Sequence, residues 1–374
     1  LAGGAAAFYF SKSQGCSHNR FVLILREAQL LELTEKLRAS PWVAMDTEAD
    51  SLHAYPEKVC LIQISHAGGD VLVDPLTGLN LQPLWEALAG RELIMHGCDY
   101  DLRLLRRTHG FLPAAVFDTM LAARLLGYKA FGLSDLVEKH LGVRLEKGPQ
   151  KANWAMRPLP PHMEAYARND SRYLKPLEVI LRAALQERGR LEWHREMCAR
   201  LVEQSARELA ADPDTVWRVK GSGQLDRRGL AVLRAVWHWR EHEAVAANRP
   251  PFFVFSTEEM VSLAALASTG QSFEHLLPRR FSPARRQRLL QAVNKALHLP
   301  PEKCPQLAVR RPTVRMTMAQ KRMMNQLQKH RDAQAARLGM DPTLIAPRAT
   351  LVALATDGEV ARQQLMEWQR KILF

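Results

Sequence analysis

The pair of carboxylates in Ala44-Met45-Asp46-Thr47-Glu48 constrains this chain more than any other feature. Asp46 and Glu48 close the short apolar run Trp42-Val43-Ala44-Met45, which reads as a buried strand. Residues i and i+2 of a strand point to the same face, so the two carboxylates project together. Like charges held that close repel, and a bound cation relieves them. Taken alone, the tripeptide reads more simply as a solvated strand end.

Strand and helix signals alternate through the first half. Residues 21–25 read as a strand, and 27–38 as an amphipathic helix with Leu30, Leu33 and Leu37 on one side. After the strand 42–46, residues 59–65 read as a second core strand, 66–70 as a hairpin loop and 71–73 as a third strand. Residues 81–88 are expected to be helical, 92–96 to return to the sheet, and helices to follow over about 99–108, 118–126, 133–141 and 161–187. This order predicts a mixed sheet flanked by helices. Beyond about 190, strand signals fade. Helical patterns fill 224–298, a Pro-rich basic linker 299–316, and helices again 317–374. Phe252-Phe253-Val254-Phe255-Ser256 in the first block answers Pro342-Thr343-Leu344-Ile345-Ala346-Pro347 in the second, as though one small all-α module were used twice.

No apolar run approaches the roughly 18 residues needed to span a bilayer. Residues 1–19 are expected to be a flexible lead-in, because the small apolar opening lacks the basic region of a signal peptide. The five cysteines are scattered without Cys-x-x-Cys spacing, which points to a reducing cytoplasm and away from a zinc module. The net charge of +13 is unevenly placed: residues 211–374 hold 26 Lys and Arg against 14 Asp and Glu, and residues 1–210 hold 26 against 25. A polyanion is the natural partner of such a region. A basic face that only aids solubility is the alternative.

Two more carboxylates sit on apolar faces. Asp101 lies three and four positions before Leu104 and Leu105 and shares their inward face, whereas Asp99 is more simply a helix N-cap. In the helix of 161–187, Asp170 is the one charge on the stripe of Met163, Tyr166, Tyr173, Leu174, Leu177 and Leu181. An unpaired buried carboxylate costs several kcal/mol or stays protonated. Arg168 and Arg172 lie about 160° away around the helix, so a cation must come from elsewhere, as an ion pair or as a metal.

Asp46-x-Glu48 after a strand, Tyr100-Asp101 opening a helix and Tyr166-x-x-x-Asp170 within a later helix form an ordered set. The set resembles the DEDD superfamily of 3′–5′ exonucleases, in the subgroup whose third motif is Tyr-x-x-x-Asp. Over about 20–200 it is most similar to the ribonuclease D family. Tyr55-Pro56, Leu61-Ile62-Gln63-Ile64, His96-Gly97, Phe117-Asp118-Thr119, Gln150, Trp154 and Arg157-Pro158-Leu159 also carry the resemblance. One departure is that Ala49-Asp50-Ser51-Leu52-His53 follows the first motif, where the family usually has an aromatic residue. That variant is similar to proofreading and Werner-type DNA exonucleases and leaves sugar preference open. The blocks 222–298 and 317–374 resemble the helicase-and-ribonuclease-D C-terminal (HRDC) module. The first does so through Leu225-Asp226, Trp239-Arg240 and Arg249-Pro250-Pro251, the second through its position and Trp368-Gln369-Arg370.

The resemblance implies an α/β ribonuclease H-like exonuclease domain over 20–210, with a mixed sheet flanked by helices. Two small all-α HRDC-like domains, 222–298 and 317–374, follow around the linker 299–316. It implies two divalent ions held by Asp46, Glu48, Asp101 and Asp170, with Tyr166 orienting a water. Hard oxygen ligands favour Mg²⁺ or Mn²⁺ over zinc. The expected activity is hydrolysis of RNA from its 3′ end, on tRNA precursors or another structured RNA with a single-stranded 3′ end, with no membrane involved. Thr47, His96, Trp154 and Arg157 are candidates for substrate contact, Trp154 by stacking and Arg157 on phosphate, with core packing as the competing role of Trp154. A DNA exonuclease with the same site and an inactive nucleic-acid-binding protein are the alternatives. The retained carboxylates and Tyr166 speak against the second.

Overall fold

The computed structural model describes residues 22–146, 148, 151–207, 212–307 and 316–374. The lead-in expected over 1–19, Gln150 and part of the linker lie outside these residues. The chain forms two compact units. The larger comprises the described residues of 1–49, 59–208 and 315–374, and the smaller those of 50–58 and 209–314.

In chain order the larger unit begins with β1 (Val22–Ile24), α1 (Glu27–Ala39), β2 (Val43–Ala49), β3 (Val59–His66), β4 (Gly69–Val73), α2 (Gln82–Ala89), β5 (Glu92–Met95) and α3 (Asp99–His109). It continues with β6 (Ala115–Asp118), α4 (Thr119–Leu125), α5 (Leu133–Leu141), α6 (Pro161–Arg172), α7 (Leu174–Glu187) and α8 (Leu191–Ala206). The strands make one sheet in the order β1-β4-β3-β2-β5-β6. β3 runs antiparallel to β2 and β4, whereas the β1–β4, β2–β5 and β5–β6 pairs are parallel. The mixed sheet expected from the order of elements is therefore present.

Alternation along β2 divides the core. Val43 and Met45 join the cluster that packs α1 through Leu30, Leu33 and Leu37 and α3 through Leu102, Leu104 and Leu105. Ala44 faces the other way, with Ile94, Phe117 and the Leu174, Leu177 and Leu181 stripe of α7. On that same side Leu61 packs with Met163 and Ala167 of α6. Asp46 and Glu48 inherit this second face.

Two expectations need correction. A helix is expected from residue 118 and no strand before it, whereas residues 115–118 form β6; it is only four residues long, and its last, Asp118, also caps α4 and so looks like a helix start. The helix expected over 161–187 breaks at Tyr173 into α6 and α7. Pro176 lacks an N–H and would clash with the carbonyl of Arg172, so it is tolerated only in the first turn of a new helix.

The smaller unit holds α9 (Arg227–Ala246), α10 (Pro251–Val254), α11 (Thr257–Ser268) and α12 (Pro283–Leu297) around Trp217, Leu233, Val236, Phe255, Leu263 and Leu289. Tyr55 packs on this core and its hydroxyl donates to Glu241. Glu243 is buried between Arg285 and Arg288, which hold its carboxyl below the usual range.

The C-terminal block repeats the order long helix, four-residue helix, helix as α13 (Met318–Leu338), α14 (Pro342–Ile345) and α15 (Arg348–Gln363), followed by α16 (Glu367–Leu373). It belongs to the larger unit and shares its core. Arg190 donates to the carbonyl of Leu338 at 2.6 Å, and the Glu196 carboxylate accepts from the backbone N–H of Glu367 at the start of α16. Trp193 stacks on Trp368 with ring centroids 5.0 Å apart. Among the described residues no helix is long and apolar enough to cross a membrane.

Candidate active site

β2 delivers Asp46 and Glu48 to the sheet face covered by α6, and α6 delivers Asp170 one turn after Tyr166. One carboxylate oxygen each from Asp46, Glu48 and Asp170 lies within 4.8 Å of the others. The β2–β3 register shifts between Glu48 and Ala49, a bulge that alters the pairing beside the cluster. Asp101 is buried in the first turn of α3 and accepts a hydrogen bond from the Thr47 hydroxyl. It is not one of the three clustered groups, yet its charge acts on Asp46.

Burial and mutual repulsion control protonation here. Burial first, then the charges of Asp101, Asp170 and Glu48, hold the Asp46 carboxyl well above the usual range. Burial, with Asp170 and Asp101, pushes Glu48 up to about 8. Burial pushes Asp170 up to about 7, against the hydrogen bond it accepts from Tyr166. It pushes Asp101 up to about 6, against the bond from Thr47. The Tyr166 phenol is raised by burial and by Asp170, Glu48 and Asp46, so near neutrality it donates and orients and does not act as a base.

Asp170 Oδ2 is buried with no hydrogen-bond partner among the described residues. Arg168 pairs with Glu164, and Arg172 with Asp70 at 3.5 Å, so both flanking cations have carboxylates of their own. Hard oxygen donors, excess negative charge and an orphaned buried acceptor together suit divalent cations.

The raised carboxyls give stability a defined pH dependence. Between its unfolded and folded pKa, each binds more proton in the folded chain than in the unfolded one. Metal-free stability therefore falls as pH rises from about 4, the ordinary carboxylate value, towards the value of about 8 at Glu48. The melting temperature in EDTA is expected to drop across that window, and Mn²⁺ to restore it more at pH 8 than at pH 5. A profile that is flat in EDTA, or a Mn²⁺ effect independent of pH, contradicts this account of the cluster.

The candidates for substrate contact are engaged inside the protein. Trp154 is 1% exposed and its ring centroid lies 6.2 Å from that of Tyr166, so the stacking expected for it is corrected to core packing. Arg157 donates from Nη2 to Asp74 Oδ1 at 2.8 Å and to the carbonyl of Cys60 at 2.7 Å. It also donates from Nη1 to the carbonyls of Trp154 and Met156, both at 2.8 Å, and pairs through Nε with Asp74. These contacts make Arg157 an internal clamp between Asp74 and the 154–156 turn. His96 Nδ1 shares a hydrogen bond with Thr119 Oγ1 at 2.8 Å, and Thr47 is held on Asp101.

Asp118 caps α4 through the N–H groups of Met120 and Leu121, and also accepts from those of Gly97 and Cys98. It thereby fixes the turn that leads from β5 into the helix carrying Asp101. The sequence assigns no role to Gln63, although an amide within the apolar run Leu61-Ile62-Gln63-Ile64 is the signal for one.

Comparison with known proteins agrees with this geometry. Residues 21–186 match the 3′–5′ exonuclease family and residues 229–272 the HRDC domain family. A ribonuclease D of Gluconacetobacter diazotrophicus is 34% identical over 66% of this chain, and the match spans 63% of that protein's length. A ribonuclease D of Pseudomonas paraeruginosa is 30% identical over 89% of this chain and 88% of its own. The crystal structure of Escherichia coli RNase D, described as an exoribonuclease involved in structured RNA processing, superposes with a TM-score of 0.72 at 25% identity, covering 92% of each chain. With the carboxylate cluster in place and relatives of that kind along nearly its whole length, the chain belongs to the ribonuclease D family.

Proposed function

We infer that this chain is a divalent-metal-dependent 3′–5′ exoribonuclease acting in the cytoplasm on structured RNA with a single-stranded 3′ end, tRNA precursors among them. The observation that carries the reading is the convergence of Asp46, Glu48 and Asp170 within 4.8 Å in a member of the ribonuclease D family. Asp46, Glu48 and Asp170, with Asp101 beside Asp46, would hold two ions, Mg²⁺ or Mn²⁺. When bound, these ions lower the cost of deprotonating the attacking water and of charge on the leaving oxygen. The protein's own part is positional. β2 fixes Asp46 and Glu48, Thr47 orients Asp101, and the Tyr166 hydroxyl, held on Asp170, orients the attacking water. His96, Trp154 and Arg157 shape the site through their internal contacts. Digestion of 3′-labelled RNA and of DNA of the same sequence, in Mg²⁺, Mn²⁺ or EDTA, tests the whole reading. Preferred digestion of the DNA, or undiminished digestion in EDTA, overturns it.

Tyr166→Phe separates orientation from packing. Turnover is expected to fall roughly 10–10³-fold with RNA affinity nearly unchanged, because the phenol acts on the water and not on the bound strand. Unchanged turnover assigns Tyr166 to the core alone.

The domain boundaries 20–210, 222–298 and 317–374 complete the proposal, with the last block as a second HRDC-like module. The basic excess of 211–374 is read as RNA-binding charge. Several of its arginines are tied to internal carbonyls, among them Arg228 to Ala296 and Leu299, and Arg331 to Ala346. A guanidinium on a carbonyl keeps its full charge and still contributes to the field.

A further inference from the structure

Gln63 is 0% exposed, and neither its amide nitrogen nor its amide oxygen has a hydrogen-bond partner among the described residues. It lies directly opposite Asp46 in the β2–β3 register and opposite Leu72 in the β3–β4 register. Directly opposed residues of an antiparallel pair project to the same face, so Gln63 and Asp46 are side by side. Its same-face neighbours along β3 locate it under α6. Leu61 packs with Met163 and Ala167, and the Ser65 hydroxyl is 2.9 Å from that of Ser171. Gln63 thus occupies the floor beneath the helix that carries Tyr166 and Asp170.

A position used for packing alone is better filled by Leu or Met, because a buried amide without partners forfeits its hydration and gains nothing in return. The carboxylate of Asp46, opposite it in the register, is a strong acceptor beside the Gln63 amide. We propose that Gln63 is a positioning residue for the metal site: its Nε2 donates to the Asp46 carboxylate when divalent ions are bound, fixing which oxygens face them. Groups that orient a metal-ligating carboxylate typically change metal affinity by roughly 10–100-fold when removed. This inference rests on the reading of Asp46 as a metal ligand.

Gln63→Met and Gln63→Leu keep the volume and remove the amide. Titration calorimetry with Mn²⁺ on the metal-free full chain is expected to show dissociation constants about 10–100-fold weaker than wild type for both. Metal-free melting temperatures should equal or exceed that of wild type. Wild-type Mn²⁺ affinity in Gln63→Met overturns the proposal, and so does a fall in its metal-free melting temperature, which assigns the residue to structure. Asp46→Asn, titrated alongside, separates the two levels. If it loses Mn²⁺ binding while Gln63→Met keeps it, only the role of Gln63 fails. If it also binds as wild type, the carboxylate site itself fails.

Discussion

Asp46→Asn is expected to lower RNA hydrolysis by at least about 10³-fold in saturating Mn²⁺. Asp46 stands beside Glu48 and Asp170 and feels the charge of Asp101, so of the proposed ligands it is the group best placed to serve both ions of the proposed pair. Charge stabilisation by such ions is worth several kcal/mol, and each 1.36 kcal/mol is tenfold in rate. The fold should not suffer. An amide in place of a carboxyl held well above its usual range by burial and like charges removes repulsion, so the metal-free variant should melt at or above the wild-type temperature at pH 8. This opposite movement of activity and stability distinguishes loss of a ligand from loss of structure. Retention of more than a tenth of wild-type turnover, measured by release of nucleotides from 3′-labelled RNA, defeats the two-ion reading.

The site was legible in the sequence because its four carboxylates violate local rules in ways that spacing exposes. A strand with acids at i and i+2, and a helix stripe with one acid among Tyr and Leu, are costly unless something binds there. Contacts that depend on the third dimension were not legible. A Trp such as Trp154 reads equally as a stacking platform and as a core residue, and only burial decides between them. Arg157 announces a cation, but its partner Asp74 is 83 residues away and nothing local names it. Short β6 is hard to see because four residues carry little periodicity, and Pro176 breaks a helix whose apolar stripe continues on both sides of it. Gln63 was visible as a letter out of place, yet its significance needed the register that sets it against Asp46. The repeat of long helix, short helix and helix was foreshadowed by matching aromatic or aliphatic turns. An apolar stripe does not say which surface it will cover.

That last gap leads to the second large effect: a chain ending at residue 315 is expected to lose its folded larger unit. The C-terminal block is part of that unit's core. Trp368, Ile345 and Leu351 belong to the same apolar cluster as Leu177, Leu185 and Leu191. Each large apolar side chain uncovered costs about 1.5–3 kcal/mol, so exposing even four approaches the whole stability of an ordinary domain, about 5–15 kcal/mol. Arg190, Glu196 and Trp193 would lose Leu338, Glu367 and Trp368 at the same time. A point substitution tests the same contact without removing any chain. Gly127 has φ of 82°, and a Cβ there would lie 1.8 Å from the carbonyl oxygen of Gly339. Gly127→Ala should therefore lower the melting temperature by several degrees or more, through strain at its own backbone and displacement of the α13–α14 turn. Trp368→Ala, which leaves a cavity against Trp193, should cost about 3–5 kcal/mol. The deciding measurement is thermal unfolding of the truncated chain with RNA digestion as a second readout. If it melts cooperatively near the wild-type temperature and still trims RNA, the terminal helices are an appendage to the nuclease and not a part of it.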